Sequence, residues 1–156
     1  MGKKTTIIGA GLVGSLLSIY LRRKGYDVNV YERRADMRKA NVSAGRSINL
    51  ALSDRGIRAL EEVGIMEEIR KIAIPMHGRY IHNQDGTHTY QPYGKDGQYI
   101  NSVSRGELNK TLMDLAEKEG AKLFFNHKCE SIDWKQNKIS FTDTLTNQNE
   151  CTNQDL

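Results

Sequence analysis

Three glycines in Gly9-Ala10-Gly11-Leu12-Val13-Gly14 stand at the spacing that lets a backbone hold a pyrophosphate. Gly9 permits a tight turn, Gly11 lets the main chain approach the anion, and Gly14 lets a helix pack closely on a strand. A helix opening there offers unpaired N–H groups and the positive end of its dipole to phosphate oxygens. Glu32 follows 21 residues after Gly11, the distance expected of a carboxylate that accepts from ribose hydroxyls. Together these residues point to dinucleotide binding, with a plain turn in an α/β core as the alternative. A carboxylate at position 32 repels a 2′-phosphate and so disfavours NADP in this pocket, although Arg33 and Arg34 weaken that discrimination. FAD and NAD both stay open on these residues alone.

The elements that must position the loop are legible around it. Residues 5–8 are a short β-prone run, and 12–24 carry Leu12, Leu16, Ile19 and Tyr20 at helical spacing, with Gly25 at the C′ position. Residues 27–32 return as a strand with Val28 and Val30 on one face, completing a strand–helix–strand unit of about 30 residues. A polar basic loop over 33–46 leads to GRSINLALSDRG at 45–56. There Ile48, Leu50 and Leu52 alternate with small neutral residues, so one face is expected to pack inward and the other to stay clear for something flat. Ser53 reads as the N-cap of a helix with Ile57, Leu60 and Val63 inward, closed by Gly64, and a second helix over 65–73 stops before Pro75. Runs at 77–83 and 87–93 flank Gln84-Asp85-Gly86, a hairpin signal. Ser104-Arg105-Gly106-Glu107 is a capping box opening a helix with Leu108, Leu112 and Leu115 inward and Gly120 at its end. Strands are expected over 122–126, 129–134 and 138–142. The tail from 144 is polar, shows no closing element, and reads as cut rather than finished.

Composition bounds the class. A chain of 156 residues is the size of one ordinary domain. No apolar run approaches the roughly 18 residues of a membrane span, and Lys3-Lys4 leads into a strand rather than a signal peptide, while the two cysteines, Cys129 and Cys151, fit a reducing cytoplasm. Cys129 and Cys151 lack any CxxC spacing, so neither a zinc site nor a disulfide framework is expected. His77, His82, His88 and His127 are spread over separate segments, which favours hydrogen-bonded or exposed rings over metal ligands. The net charge of +4 is concentrated in residues 1–46, which alone carry +7. Without interleaved aromatics that charge does not favour nucleic acid, and Arg22-Arg23-Lys24 reads as a solvated helix face.

GAGLVGSL, GRSINLALSDRG and SVSRGELN together resemble the kynurenine 3-monooxygenase branch of the single-component FAD-dependent aromatic hydroxylases. GRSINLALS is specific to that branch, whereas the glycine loop is shared by many flavoproteins, and the resemblance runs over nearly the whole chain. It implies an α/β, Rossmann-like FAD-binding βαβ fold with an inserted β-hairpin, incomplete at its C-terminus. Residues 1–156 would be the N-terminal part of the FAD-binding domain, with the start of a substrate-domain hairpin at about 77–93. FAD would be held at the pyrophosphate by Gly9, Gly11, Val13 and Gly14, and at the adenosine end by Tyr31, Glu32, Arg33 and Arg34. Ala51 and Arg105 would also touch FAD, and Cys129 would lie near the adenine through its backbone rather than its thiol. Arg105 occupies the first turn of a capped helix, a poor place for a cation that a nearby anion would offset. Arg79 and Tyr93 would hold the substrate carboxylate, to which a guanidinium fork and a phenol are suited.

The implied reaction is 3-hydroxylation of L-kynurenine, with NADPH reducing FAD and O2 captured as a flavin C4a-hydroperoxide. The cofactor carries that chemistry, so no catalytic acid, base or nucleophile is assigned to this chain. No second glycine fingerprint exists, which fits transient docking of NADPH. Members of the branch continue into further flavin- and substrate-binding segments, so this piece alone is expected to bind FAD weakly or not at all. Two other readings remain at this point. An NAD-dependent dehydrogenase would have further βα units where the hairpin stands, and a non-catalytic flavin- or nucleotide-binding module would not need Arg79 and Tyr93 at the cofactor.

Overall fold

A computed structural model describes residues 2–39, 48–95 and 97–153. In chain order its elements are β1 (Lys4–Ile8), α1 (Leu12–Arg23), β2 (Asp27–Tyr31), β3 (Asn49–Leu52), α2 (Asp54–Glu62), α3 (Met66–Arg70), β4 (Ala73–Met76) and β5 (Gly78–His82). There follow β6 (His88–Pro92), β7 (Ile100–Ser104), α4 (Arg105–Lys118), β8 (Lys122–Phe124), β9 (His127–Asp133), β10 (Lys138–Asp143) and β11 (Asn149–Asn153). The chain divides into two compact units, Met1–Arg46 with Asn109–Leu156, and Ser47–Leu108.

The first unit is built on a parallel sheet in the order β1-β2-β8, as the strand–helix–strand pattern requires. Val28 and Val30 of the central strand are both buried, and Gly25 turns the chain after α1 at φ 84° with its N–H on the Arg22 carbonyl. The buried face of α1 differs from the expected leucine stripe: beside Ile19 its innermost residues are Ser15 and Ser18. Small side chains let the helix approach the sheet, and their hydroxyls donate back to the Ala10 and Ser15 carbonyls, so both buried hydroxyls are satisfied. Of the expected solvated face, Arg23 and Lys24 are exposed and Arg22 is half-buried. Arg22 Nε donates to the Glu119 carbonyl at 3.0 Å and Arg23 pairs with the Glu119 carboxylate at 2.6 Å, satisfying the C-terminal end of α4.

An antiparallel sheet, β11-β10-β9, completes this unit. Its inner face carries Ile139 and Phe141 against Tyr31, whose ring stacks on Phe124 at 4.8 Å and on Phe141 at 4.2 Å. The strand β11 corrects the expectation of a tail without a closing element. Its polar residues carry no hydrophobic alternation. What seats it is the ladder to β10 and the turn in which Asp143 accepts the N–H groups of Leu145 and Thr146.

A buried ion-pair network anchors the segment after β2. Asp36 and Arg38 are paired at 2.8 Å with side chains 7% and 15% exposed, and Arg38 reaches on to Asp114 at 2.9 Å and Glu117 at 2.6 Å on α4. The hydrogen bond from the Arg38 side chain holds the Asp36 carboxyl below its ordinary range. A carboxyl with a depressed folded-state pKa stabilises the fold above its unfolded-state value of about 4, and that contribution disappears as pH falls through the lower folded value. Urea unfolding between pH 2 and 6 should therefore show a steeper acid loss in the parent than in Asp36→Asn. The substitution should cost about 1–3 kcal/mol above pH 5 and progressively less below it.

The second unit holds an antiparallel sheet, β3-β7-β4, with α2 and α3, and a separate hairpin, β5-β6. Its core includes Leu60, Val63, Ile65, Ile69 and Val103. Ser53 and Ser104 cap their helices as expected, accepting from the N–H groups of Gly56 and Glu107. The helix expected over 65–73 is only α3, and the chain then enters β4 through Pro75. A proline is tolerated there because β4 is an edge strand. Among the described residues no helix is long and apolar enough to cross a membrane.

Candidate functional site

The glycine loop joins β1 to α1 in the first unit. Gly9 has φ 100°, a conformation other residues adopt only under strain. A Cβ on Gly14 would be driven into the Gly9 carbonyl oxygen and would lie 3.3 Å from Ile7 Cγ2, so only glycine permits this helix-to-strand approach. At Gly11 the situation is opposite: the backbone is extended, at φ −77°, and a Cβ meets nothing within 4 Å. No side chain caps α1, and no acceptor among the described residues takes the Gly11 N–H. Val13 is 79% exposed on the same turn. Donors without an acceptor among the described residues, at the positive end of a helix, suit a pyrophosphate.

Glu32 closes the loop from the end of β2. Its Oε2 accepts the Ala10 N–H at 3.0 Å and its Oε1 accepts the Arg34 N–H at 2.9 Å. The Glu32 backbone is itself clamped, its N–H on the Phe124 carbonyl and its own carbonyl on the His127 N–H. The carboxylate is thus held in place with a lone pair on each oxygen left over for hydroxyl donors. Arg33 and Arg34 are exposed beside it, whereas the Tyr31 ring is turned into the core and burial raises its pKa. Cys129 is half-buried against the same cluster. Burial, with the Glu130 carboxylate adding to it, raises its thiol pKa, which favours the thiol over the thiolate.

The clear face read in GRSINLALSDRG lies partly outside the described residues, at 45–47. Within β3 the expected inward face is reduced, because Leu50 and Leu52 are only half-buried and Ile48 is 55% exposed. The small face is wider than the sequence suggests. Ala51 pairs with Ser102 and Asn49 with Ser104 on β7, so two strands present small or neutral side chains side by side. Arg105, exposed at the start of α4, is tied to this sheet by its N–H on the Ile48 carbonyl. Periodicity within one segment cannot reveal a face that two strands share.

On the hairpin, Arg79 stands opposite Gln91, and its Nε donates to Gln91 Oε1 at 2.9 Å. Tyr93, whose N–H continues the pairing onto the His77 carbonyl, falls two residues from Gln91 and so shares the Arg79 face. The opposite face carries the Tyr80–Tyr90 pair, with Gly78 leaving room for the Tyr90 ring. Within the first unit the structure brings together Gly9, Gly11, Val13, Gly14, Glu32 and Arg34, and within the second it puts Arg79 and Tyr93 on one face of the hairpin.

Two arrangements escape the sequence. His127, Asp143 and Glu150 bring ligand atoms within 4.8 Å of one another from three strands. Both ring nitrogens of His127 have protein partners there, the Phe125 carbonyl at 2.6 Å and Glu150 at 3.3 Å. Asn109 on α4 reaches the glycine loop, donating to the Ala10 carbonyl at 3.1 Å. Nothing in its spacing signals this, since 99 residues separate the partners.

The family described as FAD binding domain matches residues 3–153. The kynurenine 3-monooxygenase of Myxococcus xanthus is 50% identical over 145 residues, covering 92% of this chain and 31% of that protein. That of Caenorhabditis elegans is 47% identical over 135 residues, covering 85% of this chain and 29% of the relative. The chain thus spans under a third of the length of these curated relatives. Among solved structures, the flavin-dependent monooxygenase PieE, in complex with FAD and substrate, superposes with a TM-score of 0.77 at 17% identity, over 99% of this chain and 29% of its own. The p-nitrophenol 4-monooxygenase PnpA from Pseudomonas putida gives 0.73 at 19% identity, over 97% and 38%. At such identities these two likenesses concern the fold.

Proposed function

Because the chain belongs to the FAD-binding domain family, we propose that it forms the ADP-holding part of an FAD- and NADPH-dependent enzyme that hydroxylates L-kynurenine to 3-hydroxykynurenine. The observation that carries this reading is the glycine loop: the Gly11 N–H has no acceptor among the described residues, a Cβ on Gly11 would meet nothing within 4 Å, and the Glu32 carboxylate is pinned alongside. The kynurenine assignment is supported by 50% identity to a kynurenine 3-monooxygenase across 92% of the chain.

In this reading the main chain of Gly9, Gly11, Val13 and Gly14 binds the pyrophosphate and Glu32 accepts from the ribose. Arg33, Arg34 and the backbones of Tyr31 and Cys129 border the adenosine. Ala51 lies along the cofactor because it is small, and Arg105 offers it a cation. FAD, when bound, supplies the redox chemistry that carries electrons from NADPH to O2, one oxygen atom entering the ring and the other leaving as water. NADPH docks transiently, and the protein acts in the cytoplasm, in keeping with its two free cysteines. Arg79 and Tyr93 take the kynurenine carboxylate. With Nε committed to Gln91, both terminal nitrogens of Arg79 remain for a bidentate pair.

The test uses the complete, flavin-loaded protein, with NADPH oxidation and 3-hydroxykynurenine measured with and without L-kynurenine. Substrate-stimulated oxidation with matching product is expected. Unchanged oxidation without product would remove the kynurenine assignment and leave the flavoprotein standing. Arg79→Leu should raise the KM for kynurenine about tenfold or more, since it removes charge-assisted hydrogen bonds, while flavin content stays the same.

A further inference from the structure

We infer that Asn109 is the positioning residue that decides which way the glycine loop faces its anion. The inference rests on reading residues 9–14 as a pyrophosphate site. Asn109 Nδ2 donates to the Ala10 carbonyl at 3.1 Å and to Met37 Sδ at 3.4 Å, and the Ser15 hydroxyl adds a second donor to the same carbonyl at 3.3 Å. In a planar trans peptide the carbonyl and the next N–H point in opposite directions. Drawing the Ala10 carbonyl toward α4 therefore turns the Gly11 N–H away from it. That N–H has no acceptor among the described residues, and a Cβ on Gly11 would meet nothing within 4 Å. The preceding peptide is fixed by Glu32, which accepts the Ala10 N–H. Ala10 is thus held at both ends by residues outside the glycine fingerprint, an acid after β2 and an amide on α4.

The rest of the amide sharpens the assignment. Asn109 Oδ1 is buried with no hydrogen-bond partner among the described residues. Turning the amide over would not help, because it would set Oδ1 against the Ala10 carbonyl oxygen, acceptor against acceptor. A buried carbonyl left unpaired destabilises a fold, so an apolar side chain of similar shape would suit this position better by stability alone. What an apolar side chain cannot do is hold the Ala10 carbonyl. Asn109 therefore stabilises the orientation of the loop at some expense to the fold.

The inference separates binding from stability, and the test exploits that. Flavin-free complete protein is titrated calorimetrically with ADP and with adenosine, which lacks the pyrophosphate, and is unfolded in urea. Asn109→Leu and Asn109→Asp both remove the donor, and the second keeps the shape should the first fold poorly. Each variant should weaken ADP about tenfold while leaving adenosine unchanged. The Gly11 amide resonance should shift in both, and Asn109→Leu should keep or raise the urea midpoint. Parallel loss of ADP and adenosine affinity, with a lower midpoint, would make Asn109 a packing residue and overturn the inference. Unchanged ADP affinity in both variants would overturn it too, with the pyrophosphate reading intact. A parent protein that binds adenosine but gains nothing from the pyrophosphate would remove that reading and the inference with it.

Discussion

Valine at Gly14 is expected to cost the protein both its fold stability and its cofactor, whereas alanine at Gly11 should cost the cofactor alone. The two glycines sit three residues apart and differ in what surrounds them. A Cβ at Gly14 runs into the Gly9 carbonyl oxygen and crowds Ile7. Because the obstacle is backbone, it cannot rotate away, and α1 must move off β1. Overpacking of this kind costs about 1–3 kcal/mol and sometimes more, and the displaced helix no longer aims its free N–H groups at the loop. Alanine at Gly11 meets no protein atom, and its extended backbone is open to any residue, so stability should stay within about 0.5 kcal/mol. The added methyl projects into the space a phosphate oxygen would fill. Loss of charge-assisted hydrogen bonds there corresponds to a tenfold to hundredfold weaker affinity, roughly. Urea midpoints and bound flavin per chain, measured on the complete protein, decide the matter. Equal stability of the two variants would show that the Gly14 contact is dispensable.

Replacing Glu32 by alanine should have an effect of similar size on binding, with a different signature. The carboxylate serves the protein before it serves a ligand, since it satisfies the N–H groups of Ala10 and Arg34. Ala10 is only 3% exposed, so removing its acceptor leaves a buried donor unpaired at about 1–3 kcal/mol. On the ligand side, two ribose hydroxyls lose an ionised acceptor, and ADP affinity should fall about a hundredfold. Glu32→Gln separates the roles. It keeps one oxygen and removes the negative charge that repels a 2′-phosphate, with Arg33 and Arg34 still exposed alongside. The preference for ADP over its 2′-phosphorylated form should therefore shrink in this variant. An unchanged preference would mean that Glu32 does not face the ribose.

The parts of this protein that can be read from the chain are those whose cause is local. Gly9 announces its positive φ, Gly25 its helix end, and Ser53 and Ser104 their caps, because each is settled within four residues. The βαβ unit is equally legible, since Val28 and Val30 alternate and the helix pattern begins at the loop. The parts that cannot be read are joined by backbone pairing or by long side chains across many residues. The strand β11 has no apolar signature, β4 passes through a proline, and Arg22 looks solvated until the end of α4 is placed beside it. The small face on β3 is completed only when β7 brings Ser102 opposite Ala51.

The same division runs through the site. The glycine spacing and Glu32 point to a dinucleotide from the chain alone, because backbone donors, helix dipole and carboxylate reach follow from residue type and separation. Which way the loop's peptides point does not follow. That depends on Glu32 and Asn109 gripping the two ends of Ala10, one from 22 residues away and the other from 99. A hydrogen bond carries no record in the sequence of the distance it spans, so the fingerprint is written in the chain and its aim is set by the fold.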